Sequence, residues 1–322
     1  MAAPVPVPVS VPVPDFEAGV QYWDNTTADV DGVLGGYGES TPVPRLDATS
    51  SRLLILSLLP QLSTIPPPHH QSTSSSSPSS SSSDLTRIPP RRPARPFRAL
   101  DCGAGIGRVT STVLLPLFDL VDLVEPVPSF VSQAEKHARR AAHEGWTALR
   151  EREGEAGDEG RKAVRIWKAG LQHFDPTCPG RPVDAAANKG SVELFAQVGR
   201  DEPSWGPEPR ELVVHEEGYD LIMIQWCIGH LSDDELVAFL KRSRAALRQQ
   251  PDGGPCEGYI VLKENVCKDE SERLFDDEDS SFTRSDKVFR EIFERTGLTL
   301  YRREVQQGFP AELFPVISYA LR

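Results

Sequence analysis

The sequence predicts an α/β chain folded around a doubly wound, mostly parallel sheet of seven strands, with a helical arm in front of it. Two observations carry this. Arg98 to Glu125, R-A-L-D-C-G-A-G-I-G-R…L-V-D-L-V-E, reads as strand, glycine loop, helix, strand. Further short apolar runs then alternate with helical patterns in the order βαβαβ…βαβαββ. Such alternation implies parallel strands joined by crossover helices, with ligands at the carboxyl ends of the strands.

Taken in order, residues 1–14 alternate Val and Pro and read as a disordered, solvated polyproline spacer. Residues 15–62 form an arm, with order beginning near Phe16. Its stretch from Gln21 to Gly38 is too rich in Tyr22, Trp23, Val33, Leu34 and Tyr37 for a free loop. It is expected to pack on the domain, and a lid over the glycine loop is compatible with that. Ser50 to Leu59 reads as a helix with Leu53, Leu54, Leu58 and Leu59 near one face. Residues 63–97 collapse into Ser and Pro and read as a disordered linker whose basic end, 91–98, is solvated; His69 and His70 have no further ligand near them.

The main domain spans 98–322. Strands are expected at Ala99–Asp101, Leu120–Val124, Val164–Trp167, Tyr219–Ile224, Gly258–Lys263, Leu298–Arg303 and Val316–Leu321. Ser129 to Ala142 is an expected helix, capped by Ser129 and burying Phe130, Ala134 and Ala138. Ser232 to Leu247 opens with a capping box, Ser232 with Glu235. Ser285 to Thr296 is a helix with Gly297 past its end. Charge over 147–162, and Pro, Gly and charge over 175–216, predict two insertions.

Composition narrows the function. The 322 residues suffice for one large α/β domain with appendages, and 39% hydrophobic content suggests that part does not fold. A net charge of −12 and a pI near 5.1 argue against nucleic acid or an anionic membrane and favour a cationic partner. Five cysteines without a C-x-x-C pair suit a reducing compartment and no structural zinc. No apolar run approaches membrane-spanning length, and the N-terminus lacks a signal-peptide pattern.

The chemistry concentrates past the strand ends. Gly103, Gly105 and Gly107 form G-x-G-x-G; a dinucleotide loop would need glycine at 108, which is Arg108. Glu125 lies 22 residues beyond Gly103 at the end of the next strand, where a carboxylate can take both hydroxyls of a ribose. Gln172, Gln225, Trp226, His230 and Asn265 follow the later strands.

The glycine loop, with Asp101 ahead of it, resembles the first motif of S-adenosylmethionine-dependent methyltransferases. Y-W-D…V-D-G-V-L-G-G-Y-G, I-Q-W-C-I-G-H-L, K-E-N, D-D-E-D-S-S and E-L-F-P-V-I-S-Y-A-L-R extend the likeness. Over 16–59 and 98–322, apart from the insertions, the chain resembles the protein α-N-terminal methyltransferases. The resemblance implies a class I, Rossmann-like fold and S-adenosyl-L-methionine as cofactor, held by Gly103, Arg108, Glu125, Leu171, Gln172 and Gln225, with Arg108 as counter-ion to its carboxylate. It implies His230 and Asp279 as candidate bases and Asn265 as the residue that orients the substrate backbone. Trp23, Leu34 and Trp226 would wall the peptide channel. Asp276, Asp279 and Ser281 would meet the third substrate residue, and Glu312 would close the channel. Two departures stand out: Glu125 where relatives often carry Asp, and Phe314 where Tyr is common.

The expected reaction is methyl transfer to the α-amine of N-termini of the form X-Pro-Lys or X-Pro-Arg, exposed after methionine removal. Expected partners are such protein N-termini, including those of ribosomal proteins. The chain is expected to act as a monomer in the cytoplasm and also the nucleus. Two other classes stay open at this point: a methyltransferase for small amines, hydroxyls or side chains, and a non-catalytic relative that binds cofactor or a partner.

Overall fold

In the computed structural model the described residues are 12–38, 40–63, 95–140, 146–149, 162–184, 191–200, 202, 205, 208–251, 254 and 256–322. The Val/Pro tail through residue 11, the Ser/Pro linker over 64–94, the predicted insertion over 150–161 and parts of the second insertion lie outside them.

Ten strands occur among the described residues: β1 (Arg98–Cys102), β2 (Leu120–Glu125), β3 (Ala163–Lys168), β4 (Glu193–Gly199), β5 (Leu221–Gln225), β6 (Tyr259–Asn265), β7 (Arg273–Asp276), β8 (Ser281–Arg284), β9 (Leu300–Val305) and β10 (Val316–Leu321). Eight form one sheet in the order β4-β3-β2-β1-β5-β6-β10-β9. The pairs β3/β2, β2/β1, β1/β5 and β5/β6 are parallel, while β4 and β10 pair antiparallel to their neighbours. The doubly wound sheet therefore carries one strand more than the seven predicted. The addition is β4, inside the predicted second insertion. Only Ala196 of its seven residues is buried, so no apolar pattern announces it; it is an edge strand held by pairing with β3. A separate hairpin, β7 with β8, was also not expected.

Both faces of the sheet are covered, as parallel strands require, and the short helices α4 (Leu115–Leu117) and α6 (Val214–Glu217) lie in its connections. Leu100, Ile222, Ile224, Ile260 and Leu262 share one core with α7 (Asp233–Ala246) and α8 (Asp286–Thr296). Ala99, Val121, Leu123, Met223 and Val261 share the other with α3 (Val43–Leu58) and α5 (Pro128–Arg139). The capping box of Ser232 with Glu235 opens α7, and Gly297 in the left-handed conformation ends α8. Two local expectations are corrected. Helix α3 begins seven residues before the predicted Ser50. Helix α5 is not capped by Ser129: Pro128 occupies its first turn, and the Ser129 amide donates to Asp24 Oδ1 at 3.0 Å. At the end of the linker, Phe97 is buried and Arg95 pairs with Asp220 at 2.9 Å, so the chain packs before β1 begins.

The arm opens with α1 (Phe16–Asp24), capped by Asp15, and α2 (Val30–Val33), capped by Asp29. Trp23, Ala28, Val30 and Val33 pack on Ile106, Val127 and Phe130, directly above the glycine loop. Register does the rest of the positioning. Cys102 is level with Val124 and Ile224, and Gln225 with Lys263, so the ends of β1, β2, β5 and β6 open on one side beneath the arm.

Candidate active site

The loop after β1 can only be built with glycine. Gly103 has φ +60°, and a Cβ there would lie 2.2 Å from Cys227 Cβ; Gly107 has φ +79°, and its Cβ would lie 2.3 Å from the Trp146 ring. At Gly105, also at positive φ, a Cβ would meet Val33 of the arm at 3.7 Å, an ordinary contact, so there it is the backbone conformation that favours glycine. The Gly105 amide donates to Glu125 Oε2 at 2.7 Å and the Val127 amide to Oε1 at 2.9 Å. Burial pushes the Glu125 carboxyl up to about 7 against the opposing pull of these two amides. Asp101, one strand over, is raised to about 6 by burial despite the hydroxyl of Thr110 at 2.6 Å.

All six residues expected to hold the cofactor, Gly103, Arg108, Glu125, Leu171, Gln172 and Gln225, line one cavity. Phe16, Gly19, Val20, Trp23 and Val33 of the arm close its other side, and Trp226 and His230 complete it. The fit to adenosylmethionine rests on the donor set. Gly103 and Gly105 bring bare backbone to the cavity wall, Glu125 offers carboxylate oxygens, and Gln225 Oε1 is buried without a partner among the described residues. Arg108 is less free than its assignment as a counter-ion assumes: its Nη1 lies 2.6 Å from Asp47 Oδ2.

Trp226 follows β5 with φ +52°, an uncommon conformation for a bulky side chain, and its indole N–H is buried without a partner among the described residues. The Arg108 guanidinium lies 5.5 Å from its ring centroid and Phe309 packs at 6.3 Å. His230 ends the following turn, and its Nε2 accepts from Trp23 Nε1 at 2.9 Å. Burial lowers the imidazole pKa more than Asp279 and the Ser280 backbone raise it, so the net shift is downward. A Cβ on Gly19 would lie 2.8 Å from His230 Nδ1 and 3.4 Å from the Asp279 carbonyl, which puts that nitrogen and the acidic turn against the arm.

The acidic turn is the tip of the β7–β8 hairpin. Asp276 ends β7, Ser281 begins β8, and Asp279 Oδ1 between them is buried without a partner among the described residues. Ser280 Oγ accepts the Asp15 amide at 2.8 Å, tying the hairpin to the start of α1. Asn265 ends β6, level with Val316. Leu34, half-buried, ends α2, and Glu312 accepts from Tyr37 at 3.4 Å. Asn265, Leu34, Asp276, Asp279, Ser281 and Glu312 lie outside the lining of the cofactor cavity.

Two charged residues were missed. Asp47 is fully buried on α3, and Lys263 is 1% exposed on β6 with Nζ 2.6 Å from Asp47 Oδ1. Burial pushes the Asp47 carboxyl up, but Arg108 and Lys263 together hold it below its ordinary range. Its position carried a signal. Asp47, Ser51, Leu54, Ile55 and Leu58 are the buried stripe of α3, at helical spacing, so an acid stood on the inward face.

A sequence profile described as AdoMet dependent proline di-methyltransferase matches residues 84–181 and 185–322. The chain belongs to this family. It is 32% identical to alpha N-terminal protein methyltransferase 1 of Arabidopsis thaliana, over 95% of this chain and 79% of that one. It is likewise 32% identical to N-terminal Xaa-Pro-Lys N-methyltransferase 1 of Xenopus tropicalis, over 94% and 92%. A SAM-dependent methyltransferase of Leishmania major superposes with a TM-score of 0.59 at 25% identity, covering 99% of this chain and all of the other. Membership in the proline di-methyltransferase family assigns the class I methyltransferase fold and S-adenosylmethionine as cofactor.

Proposed function

We propose that this chain transfers methyl groups from S-adenosylmethionine to the α-amino group of protein N-termini of the form Xaa-Pro-Lys or Xaa-Pro-Arg. The observation that carries this reading is the meeting of Trp226, His230 and the acidic turn 276–281 beside a cavity suited to the cofactor. An aromatic wall suits a proline ring, a neutral imidazole suits an ammonium proton, and carboxylates suit a Lys or Arg two residues further on.

When bound, the cofactor supplies an electrophilic methyl group on a sulfonium. Arg108 would hold its carboxylate, Glu125 its ribose, and Gln225 Oε1 would accept from one of its N–H groups. The amine must reach that methyl with its lone pair free. A terminal amine titrates near about 7.7–8.0, so part of it arrives protonated. His230 is neutral at that pH because its own pKa is lowered. Trp23 donates to Nε2, so the neutral ring carries its proton on Nδ1, facing the acidic turn. Nε2 takes the substrate proton once the Trp23 N–H yields that lone pair, and Asp279 beside the ring stabilises the imidazolium. Asn265 orients the substrate backbone, and Leu34 and Glu312 close the channel between α2 and the β9–β10 loop. The five free thiols suit action in the cytoplasm and nucleus, where trimmed N-termini such as those of ribosomal proteins are exposed.

Mass spectrometry of synthetic peptides tests the reading. Xaa-Pro-Lys peptides should gain methyl groups at the α-amine, while Xaa-Ala-Lys and Xaa-Pro-Glu peptides should be poor acceptors. Equal methylation of free small amines, or cofactor binding with no turnover on any peptide, would overturn it.

A further inference from the structure

We propose that Asp47, on the arm helix α3, is a positioning residue of the cofactor site: it orients Arg108 and Gln225 for the amino-acid end of the cofactor. The inference rests on the cofactor assignment and not on the identity of the methyl acceptor.

One carboxylate organises three neighbours here. Arg108 Nη1 lies 2.6 Å from Oδ2 and Lys263 Nζ 2.6 Å from Oδ1. Gln225 Nε2 donates to both oxygens, at 2.9 and 3.0 Å. Lys263 also reaches Ser50 and Ser51 of the same helix at 3.1 Å. The carboxylate is fully buried, so all of these bonds form away from water, where an unmet polar group is costly.

The consequence lies with Gln225. Its amide has two ends, and an acceptor-only carboxylate can be met only by the NH₂ end. Asp47 therefore fixes the flip, and Oε1, left without a partner among the described residues, is the end available to a ligand in the cavity that Gln225 lines. Arg108 is held likewise by one nitrogen, which leaves the rest of its fork for an anion. An acceptor and a cation presented together match an amino acid's ammonium and carboxylate. Glu125 and the glycine cradle, which suit the nucleoside, are not touched by Asp47.

Replacing Asp47→Asn removes this control. The asparagine can donate as well as accept, so Gln225 can turn its oxygen inward and Arg108 loses its anchor. Isothermal titration should show the Kd for S-adenosylhomocysteine rising about 10- to 100-fold, the scale of one or two lost charge-assisted hydrogen bonds. The Kd for 5′-methylthioadenosine, which lacks the amino-acid end, should stay within about twofold. Ser51→Ala, on the same helix and bonded to Lys263 rather than to Arg108 or Gln225, should keep adenosylhomocysteine binding near wild type. If Asp47→Asn fails to fold, Asp47→Asn with Lys263→Met balances the charge, and the same pair of ligands is measured on it. Equal losses for both ligands would reduce Asp47 to a structural residue, and no loss for either would remove it from the site; both overturn the proposal. No peptide enters these titrations, so a failure of the proposed acceptor specificity would leave their outcome unchanged.

Discussion

Glu125 and His230 are both buried titratable groups, and burial drives both towards neutrality. For Glu125 the folded pKa is about 7 against an ordinary 4.5. A raised carboxyl contributes stability that is complete below the unfolded value and is lost as pH rises through about 7. The ligand-free protein should therefore lose stability across that window. Accepting two ribose hydroxyls requires the ionised form, so cofactor binding near pH 7 should release about half a proton. Titrations of adenosylhomocysteine in buffers of different ionisation enthalpy measure this, and Glu125→Gln should abolish the release while weakening binding. A release that persists in Glu125→Gln would shift the titration to another group, with Asp101 and Glu264 the buried alternatives. For His230 the shift is downward, and the Trp23 N–H bonded to Nε2 favours the neutral ring. Trp23→Phe removes that donor and keeps the aromatic bulk. The acidic limb of kcat/KM should move to higher pH, and an unmoved limb would mean that His230 is not the titrating base.

At the scale of elements, β2 and β3 are joined by a buried charge. Asp122 accepts from Arg165 at 2.6 and 3.0 Å, from Trp167 at 2.8 Å and from the Tyr219 hydroxyl at 2.9 Å. Asp122→Ala strands the Arg165 cation in the core and should cost about 3–5 kcal/mol in urea unfolding, whereas Asp122→Leu with Arg165→Leu should recover only the part owed to that cation, since the Trp167 and Tyr219 donors stay unmet. The β7–β8 hairpin carries a prediction for function. Asp276 is exposed at its tip, and a contact there with a substrate Lys would be equal in ground and transition states. Asp276→Asn should raise KM for Xaa-Pro-Lys with kcat kept. Asp279→Asn, beside His230, should lower kcat as well, by up to about 10²–10⁴-fold if it shares the base function. Wild-type kinetics in both would make the turn a bystander. Elements with an apolar period were legible from sequence: β1, β2, β5, β6, β10, α7 and α8 all stand where the pattern put them. Elements without an apolar period were not. Glu193–Gly199 buries only Ala196, β7 leaves Leu274 and Asp276 exposed, and Phe282 is the one hydrophobic residue of β8, so none of them carries a stripe to read. In the site, residues past strand ends were legible because the fold class places ligands there. Asp47 is not, because it lies on the first turns of α3, Val43 to Thr49, which carry too few apolar residues to mark an inward face.

Across the whole molecule the arm and the sheet enclose the site together, and each end of the arm is fastened differently. The first turn is held by Asp15, whose side chain caps α1 by accepting the Ala18 amide at 3.1 Å and whose own amide is held by Ser280 at 2.8 Å. Further on, α3 is locked under the sheet by the charges around Asp47. Between them, α1 and α2 rest on the glycine-loop side through a small apolar cluster, the bond from Trp23 to His230 and the bond from the Ser129 amide to Asp24. Few buried contacts mean a low free energy of local opening, so α1 is the part of the arm suited to admit ligand. Hydrogen exchange followed by mass spectrometry should find α1 amides exchanging faster than those of α3 or β1, and adenosylhomocysteine should slow α1 selectively, since Phe16, Gly19, Val20 and Trp23 line its cavity. Asp15→Ala removes a helix cap worth about 0.5–2 kcal/mol, so α1 exchange should rise about 2- to 30-fold while β1 is unchanged. The bound ligand should reverse part of that increase. If the ligand protects β1 and the glycine loop but leaves α1 at its free rate, the arm is a packed appendage and not a lid over the cofactor.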